Sequence, residues 1–243
     1  MNSRPEYGKL LIVDDPAALA REASGRLLRW AIEADAPARI ALSGGSTPRQ
    51  TYQALASRPF VDRFPWAKVH WFWGDERFVP PDHPDSNFRM AREAMLNVAP
   101  VPPANIHAIP TVGVDPDIAA DQYEIELRRA YGGTQLEPGR PLFDVCLLGL
   151  GDDGHTASLI PGSPVLEERG RWVAPVIGGR PEVRITLTYP AINASRHIAF
   201  LVSGEEKRPI LHEVRSGGSR APAAQLAPWG DLVFIADRAA AGP

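Results

Sequence analysis

Short apolar runs alternate along this chain with longer stretches whose apolar residues recur every three or four positions, the periods of strands and of amphipathic helices. Lys9–Val13 predicts a first strand. Asp15 followed by Pro16 predicts a helix start, and Leu19, Ala23, Leu27 and Trp30 give that helix an apolar stripe to about Glu33. Arg39–Leu42 predicts the second strand. Thr47 as cap and Pro48 as first helical residue predict a helix to about Ser57. Val69–Trp73 predicts the third strand, and a Pro-rich loop follows. Ser86 is expected to cap a helix through about Leu96, with Phe88, Ala91 and Met95 inward. Residues 100–110 read as irregular, and Asp115-Pro116 starts another helix that ends near Tyr131. Phe143–Leu148 is almost uninterrupted in its apolar character, as a strand buried on both faces should be. Trp172–Val176, Val183–Thr188, Ile198–Val202 and Asp231–Ala236 complete the strands, and the terminal Ala-Ala-Ala-Gly-Pro reads as frayed. Strands alternating with helices predict an α/β fold with a mainly parallel sheet and helices on both faces. With no repeat and no linker, the chain is expected to be a single domain, 1–243.

In sheets of this kind ligands bind beyond the carboxyl ends of the strands. The polar loops that follow the predicted strands are therefore the candidate chemistry. Ser43-Gly44-Gly45-Ser46-Thr47 puts small donors at a helix N-terminus, where free N–H groups and the helix dipole favour an anion. Asp75-Glu76-Arg77 is a charged turn directly after an apolar strand. Gly149-Leu150-Gly151-Asp152-Asp153-Gly154-His155 follows the most apolar strand, and His155 with Thr156 is expected to open a short helix. A histidine at the end of a buried strand, beside two carboxylates, is placed for chemistry rather than packing. Arg184 projects from its strand on the same face as Thr186 and Thr188, which suits a site rim. Ser203-Gly204-Glu205-Glu206 fits a capping box that delivers Lys207 into the first helical turn, and Pro209 predicts a break soon after.

Composition narrows the partners. A net charge of −3 over 243 residues gives no bulk attraction for nucleic acid or an anionic membrane, so neither is expected, and an anionic ligand needs local positive charge. The sole cysteine, Cys146, lies inside a predicted buried strand, so no intrachain disulfide forms and a reducing compartment is expected. The N-terminal MNSRPEYGKLLIV lacks the features of a secretory signal, and no run approaches the roughly 20 apolar residues of a membrane span, so a cytoplasmic location is expected. Gly149-x-Gly151-x-x-Gly154 matches the dinucleotide fingerprint, but Asp152 and Asp153 would face the pyrophosphate. The acidic strand end required further on is a polar loop, Glu167–Arg171, which argues against NAD.

LSGGSTP (Leu42–Pro48), GDERFVP (Gly74–Pro80), DSNFRMAREAML (Asp85–Leu96), GLGDDGHTASLIPG (Gly149–Gly162), RITLTYPAIN (Arg184–Asn193) and VSGEEK (Val202–Lys207), in this order, resemble the 6-phosphogluconolactonase family of the pentose phosphate pathway. The C-terminal PAAQL (Pro222–Leu226) fits the same likeness, which covers about Leu10 to Asp237. The resemblance implies a Rossmann-like three-layer α/β/α fold, in a wider group with glucosamine-6-phosphate deaminase and ribose-5-phosphate isomerase A. It implies hydrolysis of 6-phospho-D-glucono-1,5-lactone to 6-phosphogluconate.

For that reaction His155 is the candidate base that takes a proton from water, with Asp153 to orient the ring or another site group. Arg77, Arg184 or backbone N–H groups would stabilise the growing oxyanion. Ser43, Gly44, Gly45, Ser46, Thr47, Lys207 and one of the arginines would hold the phosphate, with Asp75 also at the substrate. A lactone is an activated ester and the histidines are scattered, so no cofactor and no metal are expected; the protein is expected to act as a monomer on a small molecule. A glucosamine-6-phosphate deaminase is the first alternative. Its loop resembles this one but carries glutamate five residues after the histidine, where this chain has Ile160. A non-catalytic sugar-phosphate sensor is the second, and it would have no need of His155 beside Asp152 and Asp153.

Overall fold

The structure, a computed structural model, describes residues 6–242. The first residues of the N-terminal stretch used in the secretion argument, and Pro243 of the terminal stretch, lie outside the described residues. The described strands are β1 (Lys9–Val13), β2 (Ala38–Leu42), β3 (Val69–Trp73), β4 (Asp75–Arg77), β5 (Phe143–Leu148), β6 (Val173–Val176), β7 (Arg184–Leu187), β8 (Ser195–Val202) and β9 (Asp231–Asp237). The helices are α1 (Pro16–Glu33), α2 (Ser46–Leu55), α3 (Asn87–Ala91), α4 (Pro116–Tyr131), α5 (Tyr189–Asn193), α6 (Arg208–Arg215) and α7 (Arg238–Ala241).

Six strands form one sheet in the order β1-β9-β8-β5-β2-β3, and every neighbouring pair is parallel. β5 lies inside this sheet and all its residues are buried, which explains its unbroken apolar run. The α/β fold with a mainly parallel sheet is as expected. The remaining strands correct the reading. β6 and β7 do not extend the parallel sheet: β7 pairs antiparallel with both β6 and β4, in the order β4-β7-β6. Asp75–Arg77, expected as a turn, is therefore a strand. Its three polar residues carry no strand pattern, and β7 imposes the extended form on them. Gly74 joins the two sheets, donating to the Leu42 carbonyl at 2.8 Å and accepting from Leu187 N at 2.8 Å.

The helix starts show how side chains fix the ends. Asp15 caps α1 by accepting from Ala18 N at 2.7 Å, and Leu19, Ala23 and Leu27 are buried while Trp30 stacks on His197 at 4.7 Å. Buried Glu124 of α4 accepts from Trp172 N and Val173 N, which ties that helix to the start of β6. Ser86 caps as expected, accepting from Arg89 N at 3.1 Å, and α3 continues through one wider π turn, Arg92–Leu96.

Other expected starts differ. α2 begins at Ser46 with Gly45 in the cap position and no side-chain cap, so Thr47 does not cap it. The helix expected at His155 and Thr156 does not form. The Thr156 hydroxyl goes to the Gly149 carbonyl at 2.9 Å and Ser158 bonds across to Asp75 and Thr186, so local side chains outcompete the helical ladder. The Ser203–Glu206 box is absent too: Ser203 Oγ donates to Asp237 Oδ2 at 2.5 Å, leaving one 3-10 turn, Glu205–Lys207, before α6. The break expected at Pro209 is there, and Pro209 sits in the first turn of α6, where no N–H is missed. The C-terminal stretch is not frayed at Ala239–Ala241: Asp237 caps α7 by accepting from Ala240 N at 2.8 Å.

Candidate active site

A cavity of about 250 Å³ opens at the carboxyl ends of β2, β5 and β8, against the small sheet. All the polar loops singled out from the sequence reach it. Ser43, Gly44, Gly45, Ser46 and Thr47 line one side, Asp75, Arg77 and Arg184 another, and His155 and Lys207 a third. Asp153 is not on the wall; it stands behind His155.

The imidazole is held by its neighbours. His155 Nδ1 lies 2.5 Å from Asp153 Oδ1, which also accepts from His155 N at 3.1 Å. Burial works to raise the Asp153 pKa, but the side-chain and backbone bonds from His155, its charge, and a bond from Arg180 outweigh this and hold it at about 2. An ionised Asp153 places the ring proton on Nδ1 and leaves Nε2, which has no hydrogen-bond partner among the described residues, as the lone pair. Gly151 explains part of the glycine pattern: a Cβ there would come within 2.0 Å of His155 Nδ1, so the ring packs on bare backbone. Of the glycines that resemble a dinucleotide fingerprint, Gly151 thus serves the histidine, whereas Gly154 lies against Ala221. Ala157, also on the wall, takes a left-handed φ of 48°, a strained conformation of the kind that gathers at functional sites.

The opposite side gathers positive charge that is only partly satisfied: Arg77 Nη1 donates to the Asp85 carbonyl at 2.7 Å, and Arg184 Nη2 lies 3.6 Å from Glu182. Arg77 and Arg184 are directly opposed in the β4–β7 register. Like charges opposed across a sheet destabilise it, and both Nε atoms are buried without a hydrogen-bond partner. Burial lowers the Arg184 pKa below its ordinary value, Asp75 raises it back in part, and Arg77 lowers it further. Beside them the uncapped first turn of α2 presents free N–H groups. Tyr52 of α2 fixes that loop: its hydroxyl donates to the Ser43 carbonyl and accepts from Ser43 N, both at 2.8 Å. Tyr123 of α4 does the same for Trp73 at the end of β3.

Several participants were not among the site residues expected from the sequence. Buried Glu76 accepts from the backbone N–H groups of Arg77, Asn87 and Phe88 and from Ser86 Oγ, anchoring β4 to α3. Asn87 lines the cavity and donates to the Asp75 carbonyl at 3.0 Å. Ser158 Oγ donates to Asp75 Oδ2 at 2.6 Å. Arg180 donates to Asp153 Oδ2 at 2.6 Å. The Ser86–Asn87 string and the Ser158 position lie inside the matching motifs; Arg180 lies outside them. Lys207 reaches the cavity despite the altered helix start and donates to Asp152 Oδ1 at 2.6 Å. The adjacent aspartates therefore divide their work, one holding the lysine and the other the imidazole. Ile160 is buried and is absent from the cavity wall.

Among the described residues, no group of three or more His, Cys, Asp or Glu side chains is placed to share a metal ion. No helix among them is long and apolar enough to cross a membrane.

A family profile described as glucosamine-6-phosphate isomerases/6-phosphogluconolactonase matches residues 14–234. A 6-phosphogluconolactonase of Nostoc is 42% identical over 237 residues, covering 95% of both chains. One of Synechocystis is 46% identical over 206 residues, covering 83% of this chain and 82% of its own. The solved 6-phosphogluconolactonase from Trypanosoma cruzi superposes with a TM-score of 0.86 at 29% identity, covering 99% of this chain and 98% of its own. With the profile spanning nearly all of the sequence and these relatives covering most of it, the chain belongs to the glucosamine-6-phosphate isomerase/6-phosphogluconolactonase family.

Proposed function

We propose that the protein hydrolyses 6-phospho-D-glucono-1,5-lactone to 6-phospho-D-gluconate in the oxidative pentose phosphate pathway, with His155 as the base that activates water. The observation that carries the reading is the pairing, across one cavity, of an Asp153-held imidazole with two cross-strand arginines whose buried Nε atoms have no hydrogen-bond partner. The lactonase relatives support the substrate.

The substrate offers a dianionic phosphate at one end and an ester carbonyl at the other. The phosphate takes Arg77 and Arg184, the N–H groups and hydroxyls of the Ser43–Thr47 loop, and Lys207, which shares itself with Asp152. Asp75, a carboxylate, faces sugar hydroxyls and offsets the arginines' charge. At the other end His155 Nε2 accepts a proton from water as the water oxygen bonds to the lactone carbonyl carbon. Asp153 stabilises the imidazolium that forms. Negative charge on the carbonyl oxygen is offset by the imidazolium as it forms. Collapse of the tetrahedral intermediate breaks the bond to the ring oxygen, which takes the proton back from His155.

Deamination of an amino sugar phosphate fits less well, since Ile160 is buried and carries no proton. The same proposal takes residues 1–243 as one domain, acting as a cytoplasmic monomer without cofactor. The test is turnover of freshly prepared lactone, corrected for spontaneous opening, beside glucosamine 6-phosphate assayed for ammonia. Lactone opening above background with no ammonia is expected. Ammonia without lactone opening would overturn the reading.

A further inference from the structure

Arg180 lies between β6 and β7, just after Gly178 and Gly179, whose left-handed φ values of 85° and 75° turn the chain toward the β5 loop. Its Nη2 donates to Asp153 Oδ2 at 2.6 Å and stands 3.2 Å from His155 Nδ1. The carboxylate is thus gripped on both oxygens: Oδ1 takes the ring and backbone N–H groups of His155, and Oδ2 takes the guanidinium. Nδ1 already donates to Asp153, so it has no lone pair to offer Arg180. The guanidinium therefore acts on the ring only through Asp153 and through its charge.

We propose that Arg180 is a positioning residue for the reaction, fixing Asp153 so that its carboxylate holds His155 in the Nδ1–H tautomer with Nε2 toward the cavity. The proposal rests on the lactonase reading with His155 as base. Loss of Arg180 frees one carboxylate oxygen and loosens the ring, so turnover falls while substrate binding is kept.

Steady-state kinetics of the full chain, corrected for spontaneous lactone opening, test this. Arg180→Ala is expected to lower kcat about tenfold, the loss of one charge-assisted hydrogen bond, with KM nearly unchanged. Arg180→Lys should restore part of kcat, because an ammonium returns a charged donor without the planar fork. In an Asp153→Ala background, Arg180→Ala should cost less than about twofold. Parent-like kcat in Arg180→Ala would overturn the proposal. So would a rise in KM alone, which makes Arg180 a substrate ligand, or an undiminished penalty without Asp153. A parent protein that opens no lactone above background would instead overturn the reading on which the proposal rests.

Discussion

The two sides of the cavity treat charge in opposite ways. Asp152, Asp153 and His155 of the β5 loop are all paired within the protein, with Arg180 and Lys207 from other loops among their partners, at 2.5–2.6 Å in the closest contacts. Across the cavity, Arg77 and Arg184 face each other with buried, unpartnered Nε atoms, and the first turn of α2 has no cap. The first side is complete before any ligand arrives, as proton transfer requires of a preorganised base. The second is left incomplete, and an anion completes it. Catalytic and binding duties should therefore separate under mutation.

The largest break falls on the paired side. His155→Ala should lower kcat by about 10²–10⁴, the usual loss for a positioned base, as measured on fresh lactone with the spontaneous rate subtracted. Gly151→Ala should cost about 10² in kcat, because the added Cβ collides with the ring and a displacement near 1 Å has that effect. Circular dichroism should show its fold unchanged.

The arginine side breaks differently. Arg184→Ala removes a charge-assisted contact worth roughly 1.5–3 kcal/mol, so kcat/KM on the phosphorylated lactone should fall about tenfold to a hundredfold. Turnover of unphosphorylated gluconolactone, which lacks the anion, should hardly change. An anion should also relieve the arginine pair in the unreacted protein. Phosphate at a hundred times its Kd adds about 2.7 kcal/mol, a rise of about 5–10 °C in Tm by differential scanning calorimetry for a chain of this size.

The smallest effect sharpens the comparison through pH. Asp153 has a folded pKa of about 2, below the ordinary carboxylate value of 3.8. A depressed carboxylate contributes stability that is present above its unfolded value and lost as pH falls through the folded one. Stability should therefore decline between pH 4 and 2, and Asp153→Asn should flatten that decline in acid-unfolding curves. The effect is small because the Asp153 side chain is 39% exposed and solvent screens it.

What could be read from the sequence follows from how local each signal is. β1, β3 and β5 carry their own apolar pattern and begin and end where the sequence indicates. The cavity loops were legible because each follows such a strand. The small sheet was not, because β4 is three polar residues that become a strand only against β7. The caps at Thr47 and Ser203 misled for a related reason. Their motifs describe a helix in isolation, whereas Asp237 claims the Ser203 hydroxyl from 34 residues away. Asn87 and Arg180 reach the site through contacts between distant segments, which no local pattern encodes. His155 was legible from its place after a buried strand, whereas the packing of its ring on Gly151, four residues before it, shows only in the structure.

Calorimetric titration with 6-phosphogluconate of the parent, His155→Ala and a double Arg77→Ala, Arg184→Ala variant tests the division of the cavity most directly. The account predicts that His155→Ala binds within about threefold of the parent. It predicts that the double variant loses about a hundredfold or more, the sum of two charge-assisted contacts. Equal losses in both variants, or parent-like affinity without the arginines, would contradict it.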